Sequence, residues 1–367
     1  MELVMESIGY KHVAGDVIDR LRILYERKAG DRIYADFQIP TKTMEQFRED
    51  HAEGFTSYPD PHERARFWNS LLKEKMLCED DHIPSAYMSE FDQGLYGALI
   101  GGEIQFLKDP GTGWISSMVK PMFEDLTQFH LRPFEESHPW FRKYLHQLEI
   151  FSGISENRFG ISHFILIDSL NFAFELVGAT KTYLSLFEVP DTVRKIIDFA
   201  FDLNVRVQEA FFEKTPSFLG GTFSNMVQWV PGRVISESVD PFHMTSVEDY
   251  EQWGEENVQR MFNHFDGGVL HIHSNGRHLL NAVSRLKGLK AIFLLDEKDN
   301  PLAFDVLPEM KKLAGDVPLV VAVNEDIFED HLNRNILPGG VFYVVKSTKN
   351  VDEVNRIMEF VRKYRID

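Results

Sequence analysis

The last hundred residues alternate short apolar runs with longer segments of helical periodicity, and this pattern most constrains the fold. The apolar runs are residues 269–273, 290–295, 319–323 and 341–345. Each is continuously or nearly continuously apolar, as expected of parallel strands that are buried on both faces. Segments with a helical period separate or follow them, at 277–286, 303–314, 326–333 and 351–364. The pattern predicts consecutive βα units around a parallel sheet.

Further strand candidates extend the pattern towards the N-terminus. They are residues 86–88, 114–119, 161–167, 217–222 and 234–239. Helical segments are expected at 171–187 and 190–213, and a capping-box pattern at 245–249 opens a third helix that runs to about residue 265. About eight strands between residues 86 and 345 favour an α/β fold of the (β/α)8 TIM-barrel type. Residues 1–84 are polar and helix-rich, which predicts a helical N-terminal extension packed on a barrel of residues 85–367.

Composition narrows the function classes. The chain has 367 residues, 43% of them hydrophobic, which is enough for a large core. With 39 basic and 57 acidic residues the formal net charge is −18, so we expect no binding to nucleic acid or to an anionic membrane. No run approaches a membrane span and the first residues do not resemble a signal peptide, so a cytoplasmic location is expected. The single cysteine, Cys78, excludes an intrachain disulfide and a four-cysteine zinc site.

A histidine pair is the sharpest chemical signal. His271 and His273 lie two residues apart at the end of a predicted strand, so both rings point to one face. Two such rings can bind zinc or another divalent ion together with a third ligand. In the alternative interpretation, one ring packs inside the fold and the other binds a neighbouring carboxylate. Third ligands available in principle are Asp296, Glu90, Asp168 and His243.

Other polar residues follow the predicted strands, where the active sites of barrel enzymes are built. Glu90, Asp168 and Asp296 are candidate general acids or bases. The turn at residues 274–276 could present backbone N–H groups to an anion, or could be only a turn and helix cap. Candidate substrate contacts are Asp92, Asn171, Trp229, Ser274, Asn275, Gly276 and Asn324.

Several of these segments are similar to one known family. His271-Ile-His-Ser-Asn-Gly276 is similar to a His-x-Cys-Gly-Asn strand end, Leu294-Leu-Asp296 to a strand that ends in Asp, and Val321-Ala-Val-Asn324 to a Gln-Gly-Asn strand end. Residues 340–345 are similar to a last barrel strand, and residues 240–250 to the segment before the histidine strand. In this order and spacing the chain resembles a divergent member of the uroporphyrinogen decarboxylase superfamily, which includes cobalamin-dependent methyltransferases that use zinc. The resemblance implies a TIM barrel.

Departures from the family pattern limit what the resemblance implies. The Gln-Ala-Gly-Arg-Tyr segment of the porphyrin decarboxylases has no counterpart, and Val345-Lys-Ser-Thr348 stands where they have Leu-Gly-His-Gly. Decarboxylation of uroporphyrinogen itself is therefore disfavoured. In the zinc methyltransferases the metal is held by the His and Cys of the His-x-Cys motif and by a second Cys. Here His273 replaces the first Cys, so a His/His/carboxylate site would be needed.

Three functions follow as expectations. The first is metal-assisted methyl transfer from a small methylated substrate to or from a partner corrinoid protein, with zinc at His271 and His273. The second is a cofactor-free decarboxylase, with Asp168 or Glu90 as proton donor and the turn at 274–276 gripping the substrate's acid group. The third is a noncatalytic ligand-binding barrel that has lost its site.

Overall fold

The computed structural model describes residues 3–54, 57–108, 112–130, 134–167 and 169–366. Within these ranges the chain forms an α/β fold in which short strands alternate with helices. The strands are β1 (Ile33–Phe37), β2 (Ser85–Tyr87), β3 (Ile104–Lys108), β4 (Ile115–Val119), β5 (Gly160–Ser162), β6 (Gly221–Ser224), β7 (Gln228–Pro231), β8 (Ile235–Glu237), β9 (Gly268–Ile272), β10 (Leu289–Leu294), β11 (Leu319–Asn324) and β12 (Val341–Lys346).

The helices connect these strands and cover them. They are α1 (Ala14–Tyr25), α2 (Lys42–Asp50), α3 (Pro61–Glu74), α4 (Gly94–Leu99), α5 (Pro139–Ser155), α6 (Ser169–Val177), α7 (Ala179–Glu188), α8 (Pro190–Lys214), α9 (Val247–Trp253), α10 (Glu255–His264), α11 (Leu280–Val283), α12 (Leu307–Ala314), α13 (Glu325–Asn333) and α14 (Val351–Lys363). Short 3-10 helices occur at Leu126–Gln128, Asp240–Met244 and Ser274–Leu279. No helix of the described ranges has the length and apolar character needed to cross a membrane.

Two sheets contain the parallel strands. The larger sheet has the order β1-β12-β11-β10-β9-β8 and is parallel throughout. In the smaller sheet, β2, β5 and β6 are parallel and β7 closes an antiparallel hairpin with β6. One backbone hydrogen bond, from Leu166 N–H to the Ser236 carbonyl at 2.8 Å, links the segment after β5 to β8. The predicted α/β fold with a parallel sheet is confirmed, while closure into a (β/α)8 barrel stays a prediction.

Both faces of the larger sheet are buried, which explains its apolar sequence. Alternate residues point to opposite faces. Val269, Ala291, Val320 and Phe342 pack in one core cluster together with residues of α1. The intervening residues pack in a second cluster with the outer helices; examples are Leu270, Ile292, Val321 and Tyr343. Continuous apolar strands are the expected result.

The four C-terminal strands are confirmed to within one residue at each end. The first strand of the sheet was not predicted, because β1 lies in the region expected to be helical. It pairs in parallel with β12. Its short run includes Asp36, a charged residue that is buried and obscures the strand pattern. The division of the chain at residue 84 stays a prediction.

Other predicted elements differ in detail. Residues 115–119 do form a strand, but β4 pairs antiparallel with β3 outside the parallel sheets. The helix expected at 171–187 is split into α6 and α7 at Gly178, whose φ of +82° favours glycine. The helix expected to run to residue 265 begins with the predicted capping box, formed by Ser246 and Asp249, and is interrupted at Gly254.

Candidate metal centre and active site

The register of β8 and β9 places an aspartate beside the predicted histidine pair. Ser236 pairs with Val269 and Glu237 with Leu270. Continued by three residues, this register puts Asp240 level with His273, just past the end of β9. Asp240 begins the 3-10 helix Asp240–Met244. Because a 3-10 helix has three residues per turn, it returns His243 to the side of Asp240.

Three histidine rings converge on one oxygen of Asp240. Asp240 Oδ1 lies 3.0 Å from His271 Nε2, 3.7 Å from His273 Nε2 and 3.7 Å from His243 Nδ1. The ring centroids of His271 and His273 are 5.1 Å apart, and those of His243 and His273 are 5.3 Å apart. Both His243 and His271 are buried. We call these four residues the His–Asp cluster.

Glu297 sets the orientation of His273. Its Oε1 lies 2.7 Å from His273 Nδ1. A carboxylate oxygen accepts, so Nδ1 is the donor, and in the neutral form of the ring the lone pair is on Nε2. That lone pair faces Asp240 Oδ1. Two acceptors 3.7 Å apart have no hydrogen bond between them, and a cation placed between them would satisfy both.

Burial and mutual charge set the protonation states in the cluster. Burial alone would raise the pKa of Asp240, but the neighbouring histidines hold it at about 2. Burial lowers the pKa of His243 to about 4, so this ring is neutral at physiological pH. Burial also opposes the charged form of His271, yet Asp240 and Asp92 raise its pKa above the ordinary value. The cluster therefore offers an ionised carboxylate and at least one neutral imidazole.

Asp92 lies within electrostatic range of the cluster and has a strongly altered acidity. Burial, with a smaller contribution from Asp240, raises its pKa to about 7, and His271 only partly opposes this. Its φ of +26° is unusual for a residue other than glycine. Strained backbone is often found at functional sites. A carboxyl group of this acidity can both give and take a proton at neutral pH.

Close packing against His243 explains why the predicted turn has a glycine at position 276. A Cβ atom at Gly276 would lie 2.0 Å from Cδ2 of His243, so no larger residue fits without moving that ring. Its N–H donates to the His273 carbonyl at 2.9 Å. The turn therefore supports the cluster by close packing. Ser274 Oγ donates to Glu297 Oε2 at 3.3 Å, and a carboxylate beside the turn disfavours an anion there.

The donor set of the cluster suits zinc. Asp240, His243 and His273 each offer a ligand atom, all within 4.8 Å of one another. Two ligands at about 2.0 Å from a tetrahedral ion would be about 3.3 Å apart, close to the observed 3.7 Å. The cluster thus contains His273 of the predicted pair and His243, one of the possible third ligands named above, and adds Asp240, while His271 contacts Asp240.

A second group of acidic side chains in the described ranges is a poorer candidate for a metal site. It consists of Glu325, Glu329 and Glu353. Arg356 already binds Glu329 at 2.7 Å and Glu353 at 2.8 Å. The guanidinium of Arg356 therefore already balances these carboxylates. All three would offer only oxygen ligands to a metal ion.

The predicted carboxylates lie outside the cluster. Glu90 is fully buried, accepting from Arg64 Nε at 2.6 Å and from Gln147 Nε2 at 2.7 Å. Asp296 accepts from Arg277 Nη2 at 3.2 Å and from Ala303 N–H at 2.6 Å. Both are engaged in these contacts and neither belongs to the His–Asp cluster, so their role as acid, base or third ligand stays a prediction. Asp168 lies outside the described residues.

The remaining predicted substrate contacts are dispersed. Trp229 has no exposed surface and its indole N–H donates to the Phe218 carbonyl at 2.8 Å, so it belongs to the core. Asn171 is buried on α6. Asn275 and Asn324 are exposed, the latter at the end of β11. Of the predicted contacts, Asp92, Ser274 and Gly276 lie at or near the cluster.

Asp240 and Glu297 are the site residues that sequence reasoning did not select. A usable signal was present in both cases. Asp240 follows the strand before the histidine strand and precedes His243 by three residues, and Glu297 follows the next strand. Because the carboxyl ends of neighbouring parallel strands meet at one edge, these residues were available to the histidines.

Comparisons with known proteins were made at the level of sequence and of structure. No protein-family model matches the chain, and no curated protein matches it by sequence. Among solved structures, the fold is similar to that of a methyltransferase from Methanosarcina mazei, with a TM-score of 0.61. The match covers 97% of this chain and 99% of that chain at 14% sequence identity. The two proteins therefore share a fold over nearly their whole lengths.

Proposed function

We propose that this protein is a methyltransferase whose active site is the His–Asp cluster. In the proposal, zinc is held by Asp240, His243 and His273, the substrate is a small methylated compound, and a separate corrinoid protein gives or takes the methyl group. The observation that carries it is the convergence of imidazole nitrogens and a carboxylate oxygen at distances longer than hydrogen bonds. The fold similarity to a methyltransferase supports it.

The chain's own residues have distinct tasks in this reaction. When bound, zinc supplies Lewis acidity that lowers the pKa of a substrate thiol or polarises an oxygen. Glu297 holds the ring of His273 by its Nδ1–H and leaves Nε2 free to bind. His271 contacts Asp240 Oδ1 and fixes its position. Asp92, with a pKa of about 7, takes or returns the proton of the substrate's heteroatom.

We also infer that the two parallel sheets surround one interior as a (β/α)8 barrel. The hydrogen bond from Leu166 N–H to the Ser236 carbonyl supports this arrangement. So does the core cluster shared by inward-facing residues of both sheets, among them Tyr34, Phe223 and Val269. In a barrel the cluster would lie at the carboxyl ends of the strands, where such enzymes bind substrate.

The first experiment is metal analysis of the full chain purified without a chelator or histidine tag. We expect about one zinc per chain, and its loss in both His243→Ala and His273→Ala. His264→Ala is the matched control, because His264 also contacts a carboxylate, Glu209 at 3.1 Å, but on the surface. Protein that stays free of metal after zinc is added would contradict the proposed site.

The second step tests the reaction. Zinc-loaded protein is given methylated thiols, amines or ethers together with a corrinoid protein reduced to Co(I), and the cobalt spectrum is followed for conversion of Co(I) to methyl-Co(III) as the thiolate, amine or alkoxide leaves. We expect methyl transfer that His273→Ala abolishes and His264→Ala leaves intact. If the protein binds zinc but transfers no methyl group to or from any corrinoid, the proposed zinc site would be supported and the proposed methyl transfer would be wrong.

One observation favours a second candidate, a metal-independent decarboxylase. Asp92 is a carboxyl group whose pKa is raised to about 7, as needed for a proton donor at neutral pH. In this version Asp92 takes the role predicted for Glu90 or Asp168. Release of CO2 that persists in chelator and disappears in Asp92→Asn would select this candidate.

A further inference from the structure

A cavity apart from the His–Asp cluster has features of a binding site. It has a volume of about 470 Å³ and lies among α2, α3 and the ends of β1, β2 and β5. None of the four cluster residues lines it. Its polar lining includes Asp36, Lys75, His82 and Gln228. Its apolar lining includes Met44, Trp68, Leu71, Tyr87 and Trp114.

Asp36 is the centre of the polar lining and is incompletely bonded. The residue is 8% exposed. Its Oδ2 accepts from Gln228 Nε2 at 3.1 Å, whereas Oδ1 has no hydrogen-bond partner. Lys75 Nζ lies 3.6 Å from Oδ1, and His82 Nδ1 lies 3.5 Å from Oδ2. Neither distance is that of a good hydrogen bond, so bonding capacity is left over at a buried charge.

Asp36 and Lys75 each stabilise the charged form of the other. Burial would raise the pKa of Asp36, but Lys75 and His82 hold it well below its usual range. Burial would lower the pKa of Lys75, but Asp36 raises it above its usual value. Asp36 is therefore a carboxylate and Lys75 an ammonium, and the charges of these two residues cancel, with the His82 ring beside them. The rim of the cavity also carries one residue of each sign, Glu45 and Arg48.

A hydroxyl group in the cavity, to one side of the 3.6 Å contact between Lys75 Nζ and Asp36 Oδ1, can bond to both residues. An oxygen about 2.8 Å from both atoms can accept from the ammonium and donate to the carboxylate. A second carboxylate cannot donate to Asp36, and a second ammonium cannot accept from Lys75. A charged head group would also leave a net charge in a largely buried space.

The walls indicate the rest of the ligand. Trp68 and Tyr87 are buried, and the rings of Tyr87 and Trp114 are 4.8 Å apart at an angle of 67°. Aromatic and apolar walls with a few polar groups are typical of small-molecule sites. They favour a flat apolar body, which aromatic rings contact edge-to-face or in offset stacks.

We propose that this cavity binds a small uncharged compound that carries a hydroxyl group on an aromatic or apolar body, with the hydroxyl held between Asp36 and Lys75. The cavity is lined by Gln38 and Ser347, which follow β1 and β12, and the His–Asp cluster lies at the end of β9 in the same parallel sheet, so both lie at the carboxyl edge of that sheet. That this compound is the methylated substrate rests on the proposed function. That the cavity binds such a compound does not.

The test uses four probes with one aromatic body and different head groups. These are benzyl alcohol, toluene, benzoate and benzylamine, titrated into the full chain by calorimetry. We expect benzyl alcohol to bind about tenfold or more tightly than each of the others, because only it satisfies both charged groups. Equal binding of the four probes, or no binding of benzyl alcohol, would overturn the proposal.

Two variants locate the site. Asp36→Asn and Lys75→Met should each weaken benzyl alcohol about tenfold or more. Asp330→Asn is the matched control, because Asp330 pairs with Arg334 on the surface. Unchanged affinity in Lys75→Met would overturn the proposal even if Asp36→Asn fails to fold. Binding should persist in His273→Ala, so that loss of the metal site and loss of this site are measured separately.

Discussion

Two carboxylates in this protein, the fully buried Glu90 and the partly exposed Asp240, are bonded in opposite ways. Glu90 has a donor on each oxygen, Arg64 Nε at 2.6 Å and Gln147 Nε2 at 2.7 Å. Asp240 faces three imidazoles, and two of them stand 3.7 Å from its Oδ1. The sequence placed Glu90 among the candidate catalytic residues and passed over Asp240.

In the proposed function, this difference separates a structural carboxylate, Glu90, from a functional one, Asp240. A buried charge with complete hydrogen bonding is stable where it is and has nothing left to offer a ligand. A partly exposed carboxylate, two of whose three imidazole neighbours lie beyond hydrogen-bond distance, keeps capacity for a ligand. The predictions below test this separation by changing each region and measuring stability and metal binding in both.

The largest effect on stability is expected from Glu90→Ala. Removing the carboxylate leaves Arg64 as a buried and uncompensated charge, 2% exposed. Breaking such a pair costs about 3–5 kcal/mol of the free energy of unfolding. Urea denaturation of the purified variant measures it, and zinc content per folded chain should be unchanged.

Glu251→Ala is the control for this prediction. Glu251 pairs with Arg285 at the same 2.6 Å, but both side chains are substantially exposed. Its loss should cost about 0–1 kcal/mol. Similar losses in the free energy of unfolding of Glu90→Ala and Glu251→Ala would mean that burial does not determine how much the Glu90 ion pair contributes to stability. The proposed distinction between Glu90 and Asp240 would then be wrong.

A smaller cost in stability with loss of metal is expected from Gly276→Ala. The new Cβ would lie 2.0 Å from Cδ2 of His243 and must displace that ring. Overpacking of this kind costs about 1–3 kcal/mol. Because His243 is a proposed ligand, zinc content should fall as well, which mass spectrometry of the metal measures.

Gly153→Ala is the matched control for Gly276→Ala, at a glycine outside the His–Asp cluster. Gly153 is in α5 and a Cβ there meets nothing within 4 Å. Alanine in a helix interior is about 0.5–1 kcal/mol more favourable than glycine, so this variant should be slightly more stable and keep its zinc. Full zinc in Gly276→Ala would remove His243 from the proposed ligands.

The sequence predicted the sheet better than the site, for a physical reason. Strands buried on both faces must be apolar, so β9 to β12 could be read directly from their composition. β1 was missed because Asp36 interrupts its apolar run, and that aspartate is tolerated only through Lys75, His82 and Gln228. These partners come from distant parts of the chain, so local pattern could not reveal them.

The same limit applies to the site. The spacing of His271 and His273 correctly put both rings on one face, since both contact Asp240. Choosing among Glu90, Asp296 and Asp240 required the register of β8 against β9, which depends on packing between strands. Trp229 illustrates the reverse error, because it was predicted as a substrate contact and lies in the core.

Glu297→Gln should reduce zinc affinity with little change in stability. Glutamine keeps an oxygen near His273 Nδ1 but removes the charge that holds the ring. Substitutions of such outer carboxylates lower metal affinity about 10–100-fold. Competition with a coloured zinc chelator measures the affinity, and Glu251→Gln on the surface should leave it unchanged. Unaltered affinity in Glu297→Gln would show that His273 is oriented without this contact.

Asp92→Asn should change the pH dependence of stability while leaving stability at low pH nearly the same. Burial raises the pKa of Asp92 from 3.8 to about 7, so between these values the folded protein holds a proton that the unfolded chain has released. Stability therefore falls as pH rises through this range. Asparagine resembles the protonated acid and also tolerates a positive φ, so the variant avoids this loss.

The two proteins should match near pH 4, and the variant should be the more stable above pH 7, as measured by urea denaturation across the range. Glu175, whose pKa burial raises to about 8, gives both proteins a shared loss of stability up to that pH. Glu175→Gln should remove this second loss alone. Parallel curves for Asp92→Asn and the unchanged protein would mean that Asp92 is ionised at neutral pH, which would make it a poor proton donor, rule out the decarboxylase candidate and leave the His–Asp cluster as the source of chemistry in the proposed methyl transfer.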